Sequence, residues 1–314
     1  MTLARVVVAC CAGWLAAAAG AAPLAYVSNE GSGSVSVIDT ATDKVVATWA
    51  LGGKPRGIAV AHDGKTLYLS DQDQNALVAV DTATGKATKT VPLGNSPEAI
   101  YLSQDGKWLT AAVEEDNTVA IVDTATLTVV KRVKTRGKNP EHAVWSPDGK
   151  WIYASAEEAD SVDIIDVGKG EVVKSVKVGN RPRGIGFLPD GSRAYVAAEN
   201  ADTVNVFDVA TGEVIARIKA GARSNGVKVH PDGKRVFVTS GGEGTVQVID
   251  TATNAIVAKI AVGKRPWNMA LTPDGGKLYV ACGRSNQVTV IDTATNTKIA
   301  DVDVGALPWG VAIP

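Results

Sequence analysis

The chain has little cysteine, and what it has excludes several chemistries. Cys10 and Cys11 fall in an apolar N-terminal segment, and only Cys282 lies beyond it. A single cysteine forms no internal disulfide, so the fold must be held by its core. No Cys-x-x-Cys and no Cys-x-x-Cys-His occurs. That rules out a covalently attached c-type haem and a cysteine-rich zinc site within this chain. A charge excess is also missing: 32 Lys and Arg face 33 Asp and Glu, for a net charge of −1. A general nucleic-acid coat needs a basic surplus, so nucleic acid is not an expected partner. No Gly-x-Ser-x-Gly, P-loop or dinucleotide fingerprint is present. Asp71-x-Asp73-x-Asn75 starts like a calcium loop, but Ala76 stands where that loop needs Gly and Thr82 where it needs Glu. The expected complement of cofactors and metals is therefore none.

One long apolar run exists, at the start. Arg5 is the only charge before Glu30, Val6 to Ala19 is apolar and small, and Ala19-Gly20-Ala21 offers a small-x-small cleavage site. That order predicts a signal peptide over residues 1–21 and a periplasmic or secreted protein of residues 22–314. The run is too short for a confident membrane span, so no transmembrane anchor is expected.

What the chain has in abundance is repetition. An aspartate closes a short β-branched run at Asp39, Asp81, Asp123, Asp166, Asp208, Asp250 and Asp292, in steps of 42 or 43 residues. An Asp-Gly pair recurs in the same phase at Asp63, Asp105, Asp148, Asp190, Asp232 and Asp274. Within one unit, Gly57–Ala61, Leu67–Ser70, Leu77–Asp81 and Lys86–Leu93 read as four strands separated by polar turns. Four strands per unit, repeated radially, predict an all-β chain: a seven-bladed β-propeller of four-stranded antiparallel blades, in a single domain. The chain enters at a second strand, Leu24–Ser28, and ends after a first strand, Trp309–Pro314. The C-terminal strand should therefore join the N-terminal blade and close the ring, removing two exposed edges.

The repeated aspartates suggest scaffold rather than catalysis. Four residues after each stands Asp43, Gly85, Leu127, Gly170, Gly212, Asn254 or Asn296, and all but Leu127 tolerate a left-handed backbone. Each carboxylate is expected to cap a turn. Thirteen residues before each stands Tyr26, Tyr68, Thr110, Tyr153, Tyr195, Phe237 or Tyr279, a set expected to pack between blades.

Tyr26-Val27-Ser28-Asn29, the Val-Ile-Asp-Thr-Ala-Thr runs and the Pro-Asp-Gly-Lys turns resemble the YVTN-type β-propeller repeat family. The first unit through Ile58 and the ending Leu307-Pro308-Trp309-Gly310-Val311 resemble exported propellers associated with pyrroloquinoline-quinone-dependent catabolism. That resemblance implies a link to periplasmic alcohol oxidation, with a quinoprotein dehydrogenase as partner. More distant relatives include propellers that hold haem d1 and propellers reported to bind nucleic acid.

Strand direction alternates, so the loops entering first strands and leaving second strands share one face. Around that face the first-strand entries read Arg56, Glu98, Glu141, Arg183, Asn225, Trp267 and Trp309. His142 follows one position later in its unit, while His62 and His230 sit beside Asp-Gly turns. The position two earlier reads Lys54, Ser96, Asn139, Arg181, Arg223, Arg265 and Leu307. A rim of arginine, glutamate and tryptophan suits a small anionic or planar ligand, through bidentate contacts and stacking. The alternative is mutual neutralisation of Arg56, Glu98, Glu141 and Arg183. The expected function is an exported binding or accessory protein without catalytic activity of its own. The alternatives are a lactonase or lyase using His142 with Glu98 or Glu141, and a haem d1 or nucleic-acid binder.

Overall fold

The computed structural model describes residues 22–314. The leader read at residues 1–21 lies outside them. Among the described residues no helix is long and apolar enough to cross a membrane. The chain forms a seven-bladed β-propeller: seven separate four-stranded antiparallel sheets, each in sequential strand order. A representative blade runs Pro55–Val60, Thr66–Asp71, Ala76–Asp81 and Lys86–Pro92. Consecutive first strands touch one another around a closed circle, which puts them nearest the axis.

Burial follows from this radial layout. Second and third strands are covered on both faces by neighbouring blades and read as continuous apolar runs, as in Thr66–Asp71 and Ala76–Asp81. Fourth strands are mostly exposed and alternate, as in Glu213–Lys219. The core is accordingly divided into clusters between adjacent blades; one joins Tyr68 and Leu77 to Ile100 and Leu109 of the next blade. Six of the expected aromatic positions are buried in such seams, and Thr110 fills the seventh. Two reach across with their hydroxyls: Tyr195 donates to Asn254 Oδ1 at 3.1 Å, and Tyr279 contacts Asp43.

The ring closes as the ends of the chain require. Pro308–Ala312 pairs antiparallel with Leu24–Asn29, with Tyr26 opposite Ala312 and Val27 opposite Val311. Ser34–Asp39 and Lys44–Ala50 complete that blade.

The repeated aspartates cap turns. Asp123 accepts the Thr126 backbone N–H at 2.7 Å, and Asp250 accepts that of Thr253 at 2.8 Å. The residue four places on is left-handed in all seven units, including Leu127 at φ 50°. The turn geometry thus overrides the preference of a branched side chain, at a cost of roughly 1 kcal/mol.

Candidate functional site

Two rows of the repeat build one mouth of the central channel. The first is the entry to each first strand. The second is the residue that follows each second strand: Glu30, Gln72, Glu114, Glu157, Glu199, Gly241 and Gly283. A recurring backbone bond holds the rows together. Glu114 N–H donates to Ser96 O at 2.9 Å, Glu157 to Asn139 O at 2.9 Å and Glu199 to Arg181 O at 2.8 Å. The accepting residues Ser96, Asn139 and Arg181 are themselves left-handed, as are Arg223, Arg265 and Leu307. Side-chain acceptors pin several of these strained loops: Ser96 N–H on Asn75, Arg181 N–H on Asp160 and Arg223 N–H on Asp202.

The glutamates of the second row face the arginines of the first. Arg183 contacts Glu141, Glu157 at 3.1 Å and Glu199 at 2.9 Å. Glu199, fully buried, also takes Arg223 at 3.0 Å and Arg265 at 2.7 Å. Burial alone would raise the Glu199 carboxyl, but Arg183, Arg265 and Arg181 more than offset it and hold it below its ordinary range. Arg56 bridges Glu98 at 2.5 Å and Glu30 at 3.3 Å. Glu98 nonetheless titrates well above its ordinary range, because it is buried and Glu141 adds like charge. Glu157 is pushed up to about 7, first by burial and then by Glu141, with Arg183 opposing. Glu157 therefore exchanges a proton near neutrality.

Beneath this network an aromatic layer crosses the channel. Trp309 stacks on His142 with centroids 6.2 Å apart, and Tyr101 lies on the other side at 5.8 Å. His142 is 1% exposed, and its Nδ1 is 2.6 Å from the Tyr101 hydroxyl. Burial pulls the imidazole down to about 4, with Glu141 opposing. It is neutral at ordinary pH, and Nδ1 shares a hydrogen bond with the Tyr101 hydroxyl.

The expected rim residues Arg56, Glu141, Arg183, Asn225, Trp267 and Trp309 line one polar cavity of about 270 Å³. Glu98 does not line it but is buried behind Arg56, and His142 stacks on Trp309 rather than lining the cavity. The tryptophans have more to pack against than their glycine-rich surroundings suggest. Trp309 is buried, and the Trp267 ring lies over Gly283, where a Cβ would come within 2.5 Å of it. The glutamates of the second row were missed at the sequence level. Their signal was the same 42-residue step, applied to the position after each second strand.

For metal binding, Glu98, Glu114 and Glu141 each bring one oxygen within 4.8 Å of the others. His142 is not part of that set. Arg56 and Arg183 already occupy Glu98 and Glu141, so a guanidinium stands where a cation's charge would be needed. Among the described residues, no nucleophile with an adjacent base is assembled at the mouth.

The family described as the cytochrome D1 heme domain matches the chain over residues 19–143 and 104–313. Among solved structures, hydrazine synthase of Kuenenia stuttgartiensis superposes with a TM-score of 0.78 at 26% identity, over 86% of this chain and 92% of that one. A functionally unknown protein from Desulfotomaculum acetoxidans gives 0.82 at 17% identity, over 92% and 98%. A Bacteroides uniformis protein provisionally named a 6-phosphogluconolactonase gives 0.77 at 22% identity, over 93% and 99%. The last two likenesses concern the fold alone. No curated protein matches.

Proposed function

The chain belongs to the cytochrome D1 heme domain family, and on that footing we propose that it is an exported binding or accessory propeller rather than a catalyst. The observation that carries this reading is the self-paired rim. Every arginine that lines the cavity is bridged to glutamate, and His142 beneath it is buried and engaged. A hydrolase or lyase needs a free base beside a reacting atom.

A haem bound at this mouth needs an imidazole or similar ligand open to its iron, and free cations for its acidic groups. The residues present do not fit it. His142 is enclosed between Tyr101 and Trp309, and Arg183 and Arg265 are spent on Glu141 and Glu199. Kinship with a haem-domain family is taken here as kinship of fold.

The ligand class that suits the mouth is a planar anion of modest size. Trp267 supplies a ring at the cavity wall, and the half-exposed Arg181 supplies a guanidinium edge. The cavity lining sets Arg56, Arg181, Arg183 and Arg265 against Glu114, Glu141 and Glu157, and protonation of Glu157 below about pH 7 widens that cationic excess. The resemblance to quinone-associated propellers makes a quinoprotein oxidation system the proposed setting, in the periplasm. A thermal-shift screen tests the reading. Pyrroloquinoline quinone should raise the melting temperature, haemin should not, and sugar-acid lactones should not be hydrolysed. Lactone turnover, or tight haemin uptake with a ligand-field spectrum, would overturn it.

A further inference from the structure

The opposite mouth of the channel is built differently. Below the Trp309–His142–Tyr101 layer, two adjoining cavities of about 240 and 580 Å³ open toward the Asp-Gly turns. They share Tyr101, Leu102, Val227 and Lys228 as a common wall. Among the described residues, no Asp or Glu side chain lines either one.

Lys228 is the anomaly in this funnel. The same position in the other six units is Ala59, Tyr101, Val144, Gly186, Ala270 and Ala312. Six blades thus present an uncharged side chain, and one presents an ammonium. Lys228 makes no hydrogen bond and no ion pair among the described residues. Burial alone, with no neighbouring charge, draws it below the ordinary lysine range. It is nevertheless only half-buried, because its surface opens into the cavities. The larger cavity continues from it over Trp145, Ile185 and Phe187.

An ammonium in an apolar wall without a counter-ion is unfavourable, and an incoming anion relieves that cost. Much of the remaining lining, Trp145, Ile185 and Phe187 among it, rewards apolar contact. The combined volume is in the range of small-ligand pockets, roughly 300–1,000 Å³. We propose that this lower funnel is a binding site for an amphipathic monocarboxylate, its head paired with Lys228 Nζ and its apolar tail lying over Trp145 and Phe187. The site is separate from the upper mouth and does not depend on how that mouth is read.

Calorimetric titration of the full protein with decanoate and with decanol tests it. Decanoate should bind one to one, and decanol should bind at least about tenfold more weakly. Lys228→Met, which keeps the apolar stem, should weaken decanoate by about tenfold or more and leave decanol unchanged. A second readout needs no variant: saturating decanoate should protect Lys228, but not Lys65, from amine acylation followed by mass spectrometry. Absent or non-saturable decanoate binding, equal affinity for decanol, indifference to Lys228→Met in a folded variant, or an unprotected Lys228 would each overturn the proposal.

Discussion

Trp309, carried on the strand that closes the ring, stacks across the channel on His142 of a different blade, with the two ring planes 21° from parallel. One residue thus serves both closure and the division of the channel into a polar upper chamber and an apolar lower funnel. Trp309 borders both.

Replacing Trp309 with Ala should therefore do two things. It should cost about 3 kcal/mol of stability, as large-to-small changes at buried tryptophans do. It should also admit water to His142 and move its pKa from about 4 upward toward 6.5. Histidine NMR titration of wild type and variant reads this directly. An imidazole that already titrates near 6.5 in the wild type would contradict the buried layer.

The same imidazole sets a pH dependence. Its folded pKa lies below its unfolded value, so the unfolded chain binds more protons. Its stabilising contribution is complete above about 6.5 and is lost as pH falls toward 4. Glu157 acts in the opposite sense. Its folded pKa is raised to about 7, so its contribution is present below about 4.5 and is lost as pH rises to 7. Urea unfolding of Glu157→Gln should show relatively greater stability near pH 7 than wild type, compared with the same pair at pH 5.

Binding of a planar anion at the upper mouth should follow Glu157 as well. Its protonation removes a negative charge from the cavity wall, so affinity should rise as pH falls through about 7. Glu157→Gln should abolish that slope. A slope that persists in the variant would assign the titration to another group.

Glu199 should matter to the scaffold more than any turn aspartate. Glu199→Gln leaves Arg183, Arg223 and Arg265 without their shared carboxylate, and should cost about 3 kcal/mol. Asp123→Ala removes exposed turn bonds and should lower the melting temperature slightly without changing ligand binding. Thermal denaturation of the pair ranks them, and a greater loss in Asp123→Ala would reverse the assignment.

Truncating Trp309–Pro314 removes the first strand of the closing blade and exposes two edges. The truncated protein should aggregate. A monomer with unchanged melting temperature would refute the closure.

The architecture was legible because it is written seven times: the Asp39-to-Asp292 series and the Asp-Gly series fix blade number, phase and closure. The rim was legible only in part. Arg56, Glu141, Arg183, Asn225, Trp267 and Trp309 came from one row, and the structure gathers them at one cavity. Their partners Glu157 and Glu199 sit in a second row that varies from Glu to Gln to Gly, so it does not look like a repeat feature until the loops are placed side by side. Leu127 marks another limit, since nothing in a leucine announces a left-handed turn. Lys228 was hidden because a single lysine in an otherwise apolar strand position says nothing until its neighbours prove to hold no acid.

The upper mouth, with its arginines paired to glutamates, is proposed to bind a planar anion through Trp267 and the half-exposed Arg181. Titration of pyrroloquinoline quinone into wild-type, Trp267→Ala and Arg181→Ala proteins at pH 6 is the decisive measurement. Binding should be one to one, weakened by about 1–3 kcal/mol in Trp267→Ala by analogy with base–aromatic stacking, and by a salt-sensitive amount in Arg181→Ala. No binding to the wild type, or binding that neither substitution alters, would contradict it.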